Sequence, residues 1–332
     1  MMRGGTTELS DGDPRCLPGF RRTYARDRLT LGLALPLCTR ADTEDPDDPV
    51  RQVELVRAAE AGEFAAVYVR DIPLRVPSFG DVGQVYDPWV HLAHLAAHTS
   101  RIALGTAAIV LTVRHPLHVA KAAASLDRLS GGRFLLGLAS GDRPEEFRAF
   151  GLEQGERGER FREHLSVMHH ALTTSMRGVR WSGGWMHSAD VVPKPTARSI
   201  PMVITGSSQQ SLRFNAEHAD GWMTYPRDFP LQRRTAERWR SLVREVHDDD
   251  EVFKPFAQSL QVDLAEGPDE AASPISFGFR IGRNRLVDHL RELEGIGVNH
   301  VVLGTAACRR PAAEVIDELA RYVVPHFPAL AD

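Results

Sequence analysis

The sequence predicts an α/β fold built as a single (β/α)8 barrel with long loops at the carboxyl ends of its strands. Eight apolar, strand-like runs recur along the 332 residues, each followed by a helical pattern, and no break divides the chain into halves. The first run, residues 29–37, is densely apolar, as expected for a parallel strand covered on both faces. Repeated right-handed crossovers close most simply into a TIM barrel, and an open doubly wound sheet is the alternative.

Each predicted element has its own signal in the chain. The strands are expected at residues 29–37, 64–70, 101–111, 133–139, 201–205, 221–225, 255–265 and 298–304. Asp87 followed by Pro88 predicts the start of a helix, and Pro311 opens the last one. Residues 177–199 carry turn residues without a helical period, which predicts an insertion before the fifth strand. The helix after the fourth strand is predicted by apolar side chains at i, i+4, i+7 and i+11, which are Phe161, Leu165, Met168 and Leu172.

The predicted barrel domain covers residues 29–332, and residues 1–28 are expected to form a flexible N-terminal arm. Phe20 and Tyr24 are the side chains through which that arm could dock. The length would also accommodate two average domains, but barrels often reach this size as one domain.

Composition excludes several classes of protein. Hydrophobic residues make up 42% and charged residues 25% of the chain, which is ordinary globular usage. The 40 basic and 44 acidic residues are mixed along the chain, and this argues against a nucleic-acid partner. The three scattered cysteines suit reduced thiols. The chain shows no apolar leader and no run of 18 apolar residues, so a cytoplasmic protein without a membrane partner is expected.

The long loops favour an enzyme. In a barrel of this kind the chemistry lies on loops that follow the strand carboxyl ends. The long segments of this chain fall there, at residues 71–87, 140–151, 206–210 and 266–282. Loops of this length are often functional.

The run GSSQQS joins the fifth strand to a helix and is a candidate phosphate site. Backbone N–H groups at a helix start, with the hydroxyls of Ser207 and Ser208, suit an anion, although serines also cap helices without binding anything. The sequence has no G-x-G-x-x-G after a strand and no phosphate-binding G-x-x-x-x-G-K-[ST] loop, which disfavours ATP and the usual dinucleotides. His91, His94 and His98 share a helix face outside the barrel without a carboxylate, so no metal site is predicted.

An ordered set of segments resembles the bacterial luciferase-like flavin-dependent monooxygenases. These segments are TAAIVLTVRHPLHVAK, LDRLSGGRFLLGLASGD with EEFRAFG, PMVITGSSQQS, EHADGWMTYPRD and GVNHVVLG. The resemblance runs from about residue 29 to residue 327. It implies reduced FMN, supplied by a separate flavin reductase, or a deazaflavin in some branches. The implied reaction is a monooxygenation of a small organic substrate with dioxygen. A deazaflavin-dependent dehydrogenase and a flavin-binding barrel without turnover remain as alternatives.

The resemblance also assigns residues to the cofactor. The flavin phosphate would lie on the loop after the fifth strand, at Gly206, Ser207, Ser208 and Gln209. Ser140 and Gly141 would contribute to the cofactor pocket. Family members often carry a non-proline cis peptide in the third strand beneath the ring, which here corresponds to Thr106, Ala107 and Ala108. Core packing is the other explanation for those small residues.

The chain departs from luciferase at two places. The Glu-His-His run that luciferase carries after its second strand corresponds to Asp71-Ile72-Pro73, and the arginine near its flavin phosphate corresponds to Ser140. Light emission is therefore not expected. The candidates for an acid or base, chosen by loop position alone, are Asp71, Tyr86, His115 and Arg280.

An apolar substrate cavity is expected on the same face. Its candidate wall residues are Phe147, Phe150, Trp181, Trp185 and Phe277, with Tyr86 as a further substrate contact. Relatives commonly pair through the helices beside strands two and three, so the resemblance also implies a homodimer.

Overall fold

The computed structural model describes residues 12–39, 41–42, 48–79 and 86–331, and its centre is a closed barrel of eight parallel strands. Strand β1 pairs with β8, and β6 pairs with β7, which closes the ring. The predicted (β/α)8 barrel is confirmed. The strands are β1 (Thr30–Ala34), β2 (Ala66–Val69), β3 (Ala103–Thr106), β4 (Phe134–Ala139), β5 (Met202–Thr205), β6 (Gly221–Thr224), β7 (Phe256–Leu264) and β8 (His300–Gly304).

Helices alternate with the strands and cover the barrel. Asp87 accepts hydrogen bonds from the N–H groups of Trp89 and Val90, so the predicted helix start is confirmed. The helices are α1 (Pro18–Thr23), α2 (Pro49–Ala61), α3 (Pro88–His98), α4 (Pro116–Leu129), α5 (Pro144–Ala149), α6 (Arg157–Thr173), α7 (Leu212–His218), α8 (Phe229–His247), α9 (Arg283–Gly295) and α10 (Ala312–Tyr322).

Three segments differ from the expected pattern. The third predicted strand is interrupted after Thr106, and Ile109–Val110 then pairs with β4 as a separate short strand. The insertion at 177–199 contains an antiparallel hairpin, Val179–Trp181 with Gly184–Met186. The long loop after β7 forms a second hairpin, Ser273–Ile275 with Gly278–Ile281, whose latter strand lies parallel beside β7.

The core has an outer and an inner part. The outer part lies between the strands and the helices and contains most of the leucine, isoleucine and valine side chains. The inner part fills the barrel itself with small and medium side chains around Tyr68, and it includes Ala66, Ala103, Leu135, Val203, Met223, Ala257 and Val302. An interior filled in this way is a packed core, as in other barrels of eight strands.

The segment before β1 closes the amino-terminal end of the barrel. Residues 18–23, which the sequence places in a flexible arm, form helix α1, and residues 1–11 lie outside the described residues. Phe20 and Tyr24, the expected docking side chains, are 3% and 4% exposed and belong to the inner core. The N–H of Gly19 donates to the carbonyl of Gly132, just before β4. The inner core is therefore covered at this end.

Candidate active site

The carboxyl-terminal end of the barrel is open, and we call this opening the mouth. The last inward-facing residues of the strands are half-buried there, whereas inward residues one layer below are buried. The inward direction follows from strand alternation, since residues two or four positions earlier (Ala103, Leu135, Val203 and Ala257) belong to the inner core, and Ala34 packs directly against it. The mouth is lined by small or short side chains from five strands, with one longer side chain, and its residues are Ala34, Ala107, Ala139, Thr205, Ser259 and Gln261. A floor of alanines leaves room for a flat group.

The peptide bond between Ala107 and Ala108 is cis, as the resemblance implied. Thr106, just before it, is tied to the neighbouring strand, because its hydroxyl donates to the carbonyl of Gly137 and accepts from the N–H of the same residue, both at 2.9 Å. A Cβ at position 137 would collide with the Thr106 carbonyl, so this crossing requires glycine. Both alanines are half-buried at the mouth.

The loop after β5 turns sharply at the edge of the mouth. Gly206, Ser208 and Gln209 all have a left-handed backbone, with φ of 59°, 47° and 59°. Successive residues of this kind can form a concave backbone that binds anions. The Gly206 carbonyl accepts a hydrogen bond of 2.6 Å from the Trp222 indole, which ties the loop to β6. Ser207 is exposed, whereas Ser208 is buried and its hydroxyl donates to Thr205.

The amino-terminal turn of α6 lies against this loop. The side chain of Gln210 donates to the carbonyl of Gly158 at 2.7 Å, and a Cβ at Gly158 would come within 3.1 Å of Gln209. Arg157 and Arg160 belong to the same turn. Their recorded contacts go to Gln154 and Glu156. The positive end of the helix dipole faces the region of residues 206–210, and the guanidinium of Arg162 donates to the side chain of Gln210 at 3.0 Å. The sequence predicted this helix from Phe161, Leu165, Met168 and Leu172, but not that its first turn lies beside the loop after β5.

Asp71 holds the segment after β2 against the segment after β3. Its side chain is fully buried and forms an ion pair of 2.7 Å with Arg114, which also binds Asp87 at 2.9 Å. The carboxylate also accepts from the N–H of Val110 at 3.1 Å. Through these contacts Asp71 positions the segment that follows β3 and the cis peptide bond between Ala107 and Ala108.

His115 and Arg280, the other candidates for acid or base chemistry, are both engaged with neighbouring groups. His115 caps α4 by accepting from the N–H of Leu117, and burial, with a smaller contribution from His118, lowers its pKa. Arg280 binds Asp263 at 3.2 Å and Glu270 at 2.8 Å, so it joins the hairpin after β7 to that strand. The described contacts bring neither residue to the loop at 206–209.

The expected aromatic wall is divided among three places. Phe147 is 1% exposed and packs beside Gly141, where a Cβ would come within 3.3 Å of its ring. Trp185 is 57% exposed on the hairpin of residues 179–186, where it stacks on His187. Phe277, 56% exposed, lies in the turn of the hairpin after β7.

The remaining aromatic candidates lie around the rim. Tyr86 lies at the start of α3 with its ring 5.4 Å from that of His91. Trp181, on the same hairpin as Trp185, lies 5.7 Å from His115, and Phe150 is 46% exposed after α5. Of the expected wall, Phe277 has recorded contacts with a mouth strand, since its carbonyl accepts from the N–H of Gln261.

Glu146 is a carboxyl group that sequence reasoning missed. It is 1% exposed on α5, and burial, with a smaller contribution from Asp71, raises its pKa to about 7. The N–H of Leu74 donates to it, while its Oε1 has no partner among the residues that the structure describes. The acidic pair in the EEFRAFG run was the available signal, but only the fold shows which member is buried.

No group of three or more histidine, cysteine, aspartate or glutamate side chains is placed to hold a metal ion within the described ranges. Within the same ranges, none of the helices is both long and apolar enough to span a lipid bilayer.

A closed eight-stranded barrel with an open, alanine-lined mouth and an anion-suited loop at its carboxyl end defines an enzyme of the barrel class. The model of the family described as luciferase-like monooxygenase matches residues 29–322. The chain belongs to this family.

Individual relatives agree with the family match. A pyrimidine monooxygenase of Allorhizobium ampelinum is 32% identical over 202 residues, which are 57% of this chain and 54% of that protein. The crystal structure of a monooxygenase from Streptomyces bottropensis superposes with a TM-score of 0.73 at 20% identity, covering 90% of this chain and 99% of the other. An F420-dependent secondary alcohol dehydrogenase has a TM-score of 0.73 at 17% identity, covering 92% and 100%. These two structures share the fold.

Proposed function

We propose that this protein is a monooxygenase that binds reduced FMN at the mouth and uses dioxygen to oxygenate a small organic substrate. The observation that carries the proposal is the position of the loop at 206–209. It lies between the amino-terminal turn of α6 and the strand β6, at the edge of a floor made of alanines. An anionic tail and a flat ring joined to it would fit these two neighbouring surfaces.

Each cofactor contact is assigned to groups in or beside the mouth. In the loop at 206–209, the backbone N–H groups of Ser207 and Ser208 and the hydroxyl of Ser207 would bind the phosphate beside the amino-terminal turn of α6. Ala107 and Ala108 would lie beneath the ring, and Ser140 and Gly141 would line the neighbouring side. A bound reduced flavin supplies the electrons for dioxygen chemistry, so the chain itself has to bind, orient and exclude water.

The polar candidates then act mainly by positioning. Asp71 and Arg280 hold loops in place through their ion pairs. Burial lowers the pKa of His115, which favours the neutral ring. Because its Nδ1 accepts from Leu117, the other ring nitrogen of that neutral form carries the proton and would donate a hydrogen bond to a ligand. Tyr86, Phe147, Trp185 and Phe277 remain the proposed substrate contacts, with Phe277 nearest to the mouth strands.

The proposal includes partners. Reduced FMN would come from a separate flavin reductase, and the working location would be the cytoplasm. A homodimer is proposed through α2, α3 and the segment before α3, because large apolar side chains are exposed there. They are Val50 (65%), Leu74 (38%), Phe79 (43%) and Val90 (68%).

Titration with two reduced cofactors tests the proposal. Under anaerobic conditions the protein is expected to bind photoreduced FMN more tightly than a reduced deazaflavin, as measured by fluorescence or calorimetry. On admission of air, the FMN complex is expected to consume oxygen faster when a substrate is bound. Preference for the deazaflavin without oxygen consumption would instead identify a hydride-transferring dehydrogenase. Binding of neither cofactor would contradict the enzyme proposal, and binding without turnover would support a flavin-binding barrel.

A further inference from the structure

Gln261 is the one long polar side chain among the inward residues that line the mouth. Strand alternation sets its direction, since Ala257 belongs to the inner core while Gln258 faces outward and binds Gln232 of α8 at 2.6 Å. Among the described residues, the side-chain amide of Gln261 has no hydrogen-bond partner, and it is half-buried. The hydroxyl of Ser259, two positions earlier on the same face, is also half-buried at the mouth.

Gly304 determines where this amide lies. A Cβ at position 304 would collide with the amide carbon, nitrogen and oxygen of Gln261. The amide therefore lies flat across the end of β8, and the missing side chain of Gly304 is what leaves the space. Position 304 has no left-handed backbone, so conformation does not require glycine there.

Two aromatic residues lie at the part of β7 that carries Gln261. The carbonyl of Phe277 accepts a hydrogen bond of 3.0 Å from the backbone N–H of Gln261. The Phe277 ring lies 5.0 Å from that of Tyr225, at the end of β6, with an angle of 30° between the planes. Both side chains are more than half exposed, at 56% and 60%. Phe277 also has a left-handed backbone with φ of 55°, a conformation that is rare for an aromatic residue and clusters at functional sites.

The charges on this side of the mouth are compensated. Asp263, the next inward residue of β7, has a side chain that is only 2% exposed. Its carboxylate is bound by Arg280 at 3.2 Å and by Arg309 at 3.1 Å. A Gln261 amide, which donates and accepts, is therefore the polar group offered to a ligand here.

We infer that Gln261, Tyr225 and Phe277 form the substrate subsite of the mouth, and that it takes a neutral molecule with a planar apolar body and a carbonyl, amide or hydroxyl group. The amide of Gln261 binds the polar group, and the two rings cover the planar body. This inference rests on the proposed function for its assignment to substrate, because the cofactor ring would lie at Ala107 and Ala108 after β3, across the barrel from β7.

Three compounds of matched shape test the inference: benzamide, benzoate and toluene. Their binding to the full chain with FMN present is measured by ligand-observed NMR. Benzamide is expected to bind the wild type at least threefold more tightly than benzoate or toluene, because only benzamide offers a neutral hydrogen-bonding group. Equal binding of the three compounds, or preference for benzoate, would overturn the inference.

Two variants remove the amide contact in different ways. Gln261→Leu is expected to weaken benzamide binding about fivefold, because one hydrogen bond is lost. Toluene binding should be unchanged. Gly304→Ala should give the same result, because the added methyl group displaces the flexible end of Gln261. If both variants bind benzamide as the wild type does, Gln261 is not part of the subsite.

The aromatic rings are tested separately. Phe277→Ala and Tyr225→Ala are expected to weaken binding of all three compounds, whereas Tyr322→Ala, which removes a 51% exposed ring on α10, should change none of them. Unchanged binding in the first two variants would overturn the role of the rings. FMN affinity, measured for every variant, separates this inference from the proposed function. If the wild type binds FMN but the tests of the subsite fail, only this inference is contradicted. If the wild type does not bind FMN, the proposed function is contradicted.

Discussion

Ser207 and Ser208 are neighbours in sequence but have different environments at the edge of the mouth. Ser208 is buried, has a left-handed backbone and donates its hydroxyl hydrogen bond to the carbonyl of Thr205 at 3.0 Å. Its side chain therefore stabilises the turn. Ser207 is exposed, and its hydroxyl accepts from the N–H of Gln209 at 3.3 Å, which leaves its proton available for a ligand. A phosphate would consequently contact Ser207 and the backbone more than the Ser208 hydroxyl.

Replacing Ser207 with aspartate tests the phosphate assignment. The new carboxylate would repel a phosphate a few ångströms away, and we expect FMN affinity to fall by about tenfold or more at moderate salt. Fluorescence titration measures the change. Ser241→Asp places the same charge on the exposed face of α8 and should leave the affinity unchanged. Equal FMN affinity in Ser207→Asp and wild type would remove this loop from the cofactor site.

Helix α5 and the segment after β2 are held together by two unlike contacts. Glu146 accepts a hydrogen bond from the N–H of Leu74, and the guanidinium of Arg143 lies 4.7 Å from the ring centre of Phe79. Burial raises the pKa of Glu146 to about 7, because ionisation is unfavourable away from water. The carboxyl therefore titrates near neutral pH at the rim of the mouth.

Glu146 is expected to make stability depend on pH between about 4.5 and 7. In that range the folded protein keeps a proton on Glu146 that the unfolded chain has lost, so this group destabilises the fold as pH rises. Glu146→Gln cannot ionise. Its free energy of unfolding relative to wild type should therefore rise by roughly 2 kcal/mol from pH 5 to pH 8.

Urea denaturation at both pH values measures this difference. Glu237→Gln, on the exposed side of α8, serves as the matched control. A relative stability of Glu146→Gln that does not change with pH, or that changes with the opposite sign, would contradict the prediction.

Elements were easier to predict from the sequence than the contacts among loop side chains. All eight barrel strands and the helix at 229–247 follow from runs of apolar residues and from periodicity, which are local properties. The hairpin at 179–186 was missed because its strands are three residues long and rich in glycine. Asp71 and Arg280 were chosen by loop position, and their ion-pair partners lie at sequence distances that no local pattern reveals.

One end of the barrel is open and the other is covered. At the carboxyl end, half-buried alanines surround the mouth, while at the amino end α1 packs against β2, β3 and β4 and covers the inner core. The hydroxyl of Thr30 donates to the carbonyl of Thr23, and the N–H of Leu330 donates to the carbonyl of Arg22. Residues near both limits of the described chain thus meet at the end opposite the proposed site.

Removal of the Phe20 side chain tests the contribution of α1 to stability. Phe20 is 3% exposed within the inner core, so Phe20→Ala is expected to lower the free energy of unfolding by about 3 kcal/mol or more. Phe150→Ala, at a 46% exposed position, should cost about 1 kcal/mol or less. Equilibrium urea unfolding compares them. Similar losses in the two variants would show that α1 contributes little to the stability of the barrel.

The placement of α1 also bears on how the chain acquires its structure during synthesis. Residues 18–23 leave the ribosome before the barrel strands, yet their contacts lie on β2, β3 and β4, and the β4 contact is made with a strand synthesised roughly 110 residues later. The helix cannot reach its final position until those strands exist. Contacts so distant in sequence slow folding, and until they form, Phe20 and Tyr24 would be open to chaperones that recognise apolar side chains.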